Sequence, residues 1–114
     1  MTKKIDINVD RNGPDSVVHI QGDIDLRTST DVRDVVVDLF ENRSQQRVIL
    51  DLKGVKYIDS SGIACLVEGL QEAKRKKARL ILAGLNEAPR RVLQITRLTN
   101  LFEVAQTVDE ALKL

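Results

Sequence analysis

Cysteine, histidine and aromatic residues are nearly absent from this 114-residue chain, which carries only Cys65, His19, Tyr57, Phe40 and Phe102. One cysteine cannot form an internal disulfide, and one cysteine with one histidine cannot build a Cys/His zinc site. No metal or other cofactor is expected, and the thiol usage suits a reducing compartment, so the expected location is cytoplasmic. So few rings cannot make the stacked platform that single-stranded nucleic acid needs. An excess of one charge is missing too: 18 Lys and Arg face 17 Asp and Glu. Direct nucleic-acid binding usually comes with a basic excess, and is not expected here. Residues 1–10 alternate charge with single apolar side chains, without the apolar core of about 7–15 residues that marks a signal peptide, and no later run approaches the ~20 residues of a membrane span. Neither export by that route nor membrane insertion is expected.

What is present is a globular composition, 42% hydrophobic and 31% charged. A chain of this length buries roughly two-thirds of the surface its unfolded form exposes, enough for one domain over 1–114 with an aliphatic core. Ile5, Ile7 and Val9 alternate with polar residues, Gly13 and Pro14 sit in a dense turn cluster, and Val17, Val18 and Ile20 follow. This predicts a β-hairpin. Ile24 and Leu26 allow a short extended piece. Thr28 to Asp31 then reads as a capping box opening a helix with Val32, Val35, Val36, Leu39 and Phe40 on one face.

Arg47 to Leu52 is apolar enough for a buried strand, and Ile63, Leu66, Val67, Leu70 and Ala73 mark a second helix ending near Lys77. Leu80 to Ala83 is an unbroken apolar run, as in a central parallel strand covered on both faces. Pro89 suits the first turn of a third helix with Val92, Leu93 and Ile95 as its buried side. Leu101, Phe102 and Val104 suggest a last short strand, and Thr107 to Glu110 caps a terminal helix. The predicted architecture is α/β: a mixed, mostly parallel sheet of four to five strands with about four helices. Sites in such sheets collect beyond the carboxyl ends of the strands, which singles out the loops at residues 22–30 and 56–62.

The second loop contains Asp59, Ser60, Ser61 and Gly62 between a strand and a helix. Free N–H groups and the helix dipole favour an anion there, so a hydroxyl could carry a phosphate that these amides receive, with Gly62 allowing close approach. The same residues also make an ordinary helix cap and turn, and residue chemistry alone leaves both readings open. Ser61, one residue deeper than Ser60, is the expected capping hydroxyl. Catalysis finds little support. A serine nucleophile needs a base, His19 lies in an alternating strand, and neither a Gly-x-Ser-x-Gly elbow nor a Walker loop is present. The chain is expected not to be an enzyme. Asp23 and Asp25 read equally as a solvated turn or an acidic contact. Lys74 to Lys77 read as a solvated helix end that complements the dipole, and Cys65 as a small buried hydrophobe.

Tyr57-Ile58-Asp59-Ser60-Ser61-Gly62-Ile63, preceded by Val48-Ile49-Leu50-Asp51-Leu52, resembles the signature of STAS domains of the bacterial anti-sigma factor antagonist family. Gly22-Asp23-Ile24-Asp25 is similar to that family's Gly-Glu-Leu-Asp loop, and the segment around Pro89 to Val92 with Leu101-Phe102 resembles its C-terminal part. The resemblance implies a STAS-like domain that acts as an anti-sigma factor antagonist by partner switching. In its unphosphorylated form such a protein binds an anti-sigma factor serine kinase and releases the sigma factor. Phosphorylation by that kinase from ATP, here on Ser60, reverses the binding, and a separate metal-dependent serine phosphatase resets it. The implied partner-binding residues are Asp23, Asp25, Asp59, Ser60, Ser61 and Gly62. The alternative within the family is a STAS subunit of a lipid-transport ABC system, a protein-binding adaptor; the serine-bearing loop favours the switch, since an adaptor needs no phosphorylatable hydroxyl. One departure stands out. Thr96-Arg97-Leu98 occupies a turn where the family often has Ser-Gly-Leu, so that turn must be built without glycine.

Overall fold

The computed structural model describes residues 5–114. In chain order the elements are β1 (Ile5–Asn12), β2 (Asp15–Gly22), α1 (Ser29–Glu41), β3 (Arg47–Gly54), α2 (Ser60–Arg75), β4 (Arg79–Ala83), α3 (Glu87–Ile95), β5 (Glu103–Ala105) and α4 (Val108–Leu112). The five strands form one mixed sheet in the order β1-β2-β3-β4-β5. Only the β1–β2 hairpin is antiparallel; β2–β3, β3–β4 and β4–β5 are parallel. The predicted class, strand count and helix count agree with this arrangement.

Period-two alternation sends Val48, Leu50, Leu52, Leu80 and Leu82 to one face of the sheet, where they meet Val32, Val36, Leu39 and Phe40 of α1, Ile63 and Leu66 of α2, and Leu93 of α3. Ile49, Ile81 and Ala83 point the other way, against Ala105 and Ala111. Strands β3 and β4 are thus covered on both sides, which accounts for their unbroken apolar runs.

Two expectations need correction, and the end of a third element has a specific cause. Ile95 was expected on the buried side of α3 but is 73% exposed, whereas Leu93 is buried; two residues at ~100° each carry Ile95 to the opposite face. The last strand is Glu103–Ala105, with Phe102 buried just before it and Leu101 half exposed. Helix α2 stops at Arg75 because Lys77 takes a left-handed φ of 56°. The Lys77 N–H then donates to the Lys74 carbonyl and the Ala78 N–H to Ala73, closing the helix with a Schellman motif.

The same motif ends α3. Arg97, in the turn that lacks the family's glycine, adopts φ 60° itself. Its N–H donates to Gln94 and that of Leu98 to Leu93. A non-glycine residue in this region costs about 1–2 kcal/mol, partly offset by the smaller backbone entropy it loses on folding. Arg97→Gly should therefore raise stability by up to about 1 kcal/mol, visible as a higher thermal midpoint. A lowered midpoint would mean that the arginine side chain contributes more than its backbone strain costs.

Candidate functional site

The loops at residues 22–30 and 56–62 meet at the carboxyl end of the sheet. Ile24 and Ile58 form an isolated parallel bridge. The Ile24 N–H donates to the Tyr57 carbonyl at 3.1 Å, and the Asp59 N–H donates to the Ile24 carbonyl at 3.2 Å. This two-bond stitch extends the β2–β3 pairing past the strand ends and fixes Asp23 and Asp25 in the same locality as Ser60. Both isoleucine side chains are buried, so the stitch is anchored in the core.

Thr28 organises the first loop. It stands at the N-cap position of α1, yet its hydroxyl caps no helix amide. Instead, Oγ1 donates to the Asp23 carbonyl at 2.7 Å and accepts from the Asp25 N–H at 2.9 Å. The predicted capping box is replaced by a closed turn, and Thr28 is buried within it. Asp25 belongs to that turn as well. Its carboxylate accepts the Arg27 N–H at 2.9 Å and pairs with the Arg27 guanidinium at 3.4 Å. The Arg27 backbone N–H, followed by its side chain, holds the Asp25 carboxyl below the usual carboxylate range. The Asp23 residue is exposed.

In the second loop the cap is Asp59, not Ser61. One oxygen of Asp59 accepts from the Ser61 N–H at 2.9 Å and the Gly62 N–H at 3.1 Å. An acidic side chain already sits where a received phosphate would otherwise have drawn those amides, and it complements the dipole of a 16-residue helix. Ser60 begins α2 and is exposed. Gly62 is buried, and a Cβ there would fall 2.4 Å from Ile58 Cγ1 and 2.6 Å from the Ile24 carbonyl oxygen. The absence of a side chain at Gly62 lets α2 start directly on the stitch, so packing by itself already requires glycine at this position.

Beside Ser61 lies a shallow cleft of about 140 Å³ lined by Ser29, Thr30, Arg33, Ser61, Cys65 and Glu68, below the roughly 300–1,000 Å³ of small-molecule sites. Burial pushes the Cys65 thiol up to about 12, which keeps it protonated and inert as the sequence suggested. Exposed apolar side chains flank the stitched loops instead: Leu26 is 78% exposed and Tyr57 51%. Both lie within the stitched loops, beside Asp23 and Ser60. Sequence reading did not pick out either residue as a contact, although both lie in the loops it singled out.

His19 is occupied elsewhere. Its Nδ1 lies 2.7 Å from the Asp51 carboxylate and its Nε2 3.1 Å from that of Asp10. His19, in the alternating strand β2, is therefore the centre of a three-strand polar cluster, which no local pattern announces because Asp51 is 32 positions away in sequence. The basic run at Lys74 to Lys77 is a solvated helix end; Arg75 pairs with Glu41 and Glu72.

The STAS domain family matches residues 6–111 of the chain. An anti-sigma-B factor antagonist from Bacillus subtilis (strain 168) is 31% identical over 101 residues, covering 89% of this chain and 91% of that protein. Among solved structures, an anti-sigma factor antagonist from Mycobacterium paratuberculosis superposes with a TM-score of 0.83 at 24% identity, over 96% of this chain and 92% of the other. The Bacillus cell fate determinant SpoIIAA in its phosphorylated form shares the fold at a TM-score of 0.75 and 18% identity, over 95% and 97% of the two chains.

Proposed function

The chain belongs to the STAS domain family, and from that premise we propose that it is an anti-sigma factor antagonist working by partner switching. It acts in the cytoplasm, where its unphosphorylated form docks on an anti-sigma factor serine kinase and displaces the sigma factor. Transfer of phosphate from ATP to Ser60 ends that complex, and a separate metal-dependent serine phosphatase restores it. Among the described residues no helix is long and apolar enough to cross a membrane.

The observation that carries this reading is the convergence of an exposed serine, an exposed acid and two exposed apolar side chains on one stitched pair of loops. Ser60 is the acceptor because its hydroxyl is exposed and free of the capping duty that Asp59 performs. Leu26 and Tyr57 supply the apolar anchors, while Asp23, Asp59, Ser61 and Gly62 shape the surface around them. Asp25 contributes to the same face through the turn it closes with Arg27 and Thr28. The kinase must offer cations to ATP, and an acidic rim on the antagonist suits such a surface.

The test is to incubate the chain with a cognate anti-sigma kinase and ATP and to map the product by mass spectrometry. One phosphate on Ser60, absent from Ser60→Ala, is the expected result. Phosphate confined to Ser61, or none on either serine, would overturn the assignment.

A further inference from the structure

The face of the sheet opposite α1 and α2 has an opening of its own. Across its three parallel strands Asp51 of β3, Ala83 of β4 and Ala105 of β5 stand in register. Just beyond that row, at the carboxyl ends where α/β sheets hold their ligands, lies a cavity of about 230 Å³ lined by Asp51, Lys53, Gly84, Gln106, Thr107 and Asp109. No residue of the loops around Ser60 lines it. Its floor is a carboxylate that the fold has buried but only half used. The Asp51 side chain is 7% exposed, and its Oδ2 is held 2.7 Å from His19 Nδ1. Among the described residues Oδ1 receives only the Lys53 N–H, at 3.3 Å. The backbone turns at Gly84 with a φ of 72°, and a Cβ there would stand 3.6 Å from this same oxygen. Glycine therefore leaves Oδ1 open on the cavity side, where a side chain would crowd it.

The walls carry both signs. Lys53 and Asp109 line the same space, yet among the described residues neither forms an ion pair, with the other or with anything else. We infer that this cavity is a binding site for a small α-amino acid. Asp51 Oδ1 and Asp109 receive its ammonium group, and Lys53 receives its carboxylate, with Gln106 and Thr107 adding neutral donors. Thr107 Oγ1 already accepts the Glu110 N–H, so its proton is left to donate. The charge pattern excludes simpler occupants. A bare cation meets Lys53, and a bare anion meets a buried carboxylate. A neutral molecule would strip water from three charges without replacing it by an opposite charge. A zwitterion answers both signs with charge-assisted hydrogen bonds. Volume limits the rest: the cavity falls below the roughly 300 Å³ at which sites for drug-sized ligands begin, so only a compact side chain fits beside the two charged groups.

Nuclear magnetic resonance titration of the nitrogen-labelled full chain with glycine, L-alanine and L-serine tests the site. At least one of them should shift the amides of Lys53, Gly84 and Asp109, saturating at or below ~10 mM. Propylammonium and propionate, which each keep one of the two charges, should bind at least ~10-fold more weakly. Lys53 and Asp109 are exposed, so Lys53→Gln and Asp109→Asn should keep the thermal midpoint of the parent. Each should nonetheless weaken the amino acid by ~10-fold or more. No saturable shift with any of the three at ~10 mM, or shifts that leave Lys53, Gly84 and Asp109 unmoved, would overturn the inference. So would propylammonium or propionate binding as tightly as the amino acid, or parent-like affinity in either variant.

Discussion

Ser60→Asp should bind the proposed anti-sigma kinase about 30- to 150-fold more weakly than Ser60→Ala, a difference of about 2–3 kcal/mol, with both variants folded. The geometry explains why the penalty should be large. A phosphate carries about −1.5 to −2 charge at neutral pH, and a buried charge without a partner costs several kcal/mol at an interface. On this loop the two nearest helix amides, of Ser61 and Gly62, are already taken by Asp59. Added negative charge at Ser60 therefore gains little compensation from the protein's own backbone. It meets a carboxylate one residue away and projects toward the partner. Stability should move the opposite way, since an acid at the first position of α2 complements the dipole by about 0.3–1 kcal/mol. Weaker binding by a variant at least as stable as the parent cannot then be ascribed to unfolding. Isothermal titration of both variants against the anti-sigma kinase decides the matter, and equal affinities would refute a charge-driven switch.

The parts of this site that the sequence made legible are those encoded by neighbours. The hairpin turn at Gly13 and Pro14, the double-sided strands β3 and β4, and the apolar stripes of α1 and α2 all follow from patterns a few residues long. The exposed position of Ser60 is also legible, because the loop lies between a strand and a helix in an α/β order. The rest depends on contacts across the chain. Thr28 looks like a helix cap locally, but the approach of Asp23 and Asp25 gives its hydroxyl better partners within the loop. Asp59 and Ser61 are both competent caps, and the extended backbone at Asp59 decides between them, with φ −105° and ψ −171°. His19 binds carboxylates from two other strands, so its environment exists only once β1, β2 and β3 are in register.

Gly62 is legible in the sequence as a position of close approach, while the packing that requires glycine there depends on Ile24 and Ile58, and a single methyl group tests that packing. Were Gly62 merely part of an anion cradle, Gly62→Ala would place alanine in an α-helix and stabilise it by roughly 0.5–1 kcal/mol, leaving the loops in place. The packing predicts the reverse. The added Cβ would lie 2.6 Å from the Ile24 carbonyl oxygen and 2.4 Å from Ile58 Cγ1. The isoleucine methylene can move by rotation, but the carbonyl is backbone and is itself the acceptor for the Asp59 N–H. Relief of the clash must push α2 away from the loop at residues 22–30, lengthening that hydrogen bond and disturbing the Ile24–Ile58 bridge. Overpacking of this kind costs about 1–3 kcal/mol, and loss of a buried backbone hydrogen bond adds to it, so Gly62→Ala should destabilise the chain by about 2–4 kcal/mol. Urea denaturation measures this directly. The same displacement separates Ser60 from Asp23 and Leu26, so affinity for the partner should fall even at temperatures where the variant remains folded. A Gly62→Ala variant that is more stable than the parent and binds normally would show that the two loops are not mechanically joined at this point.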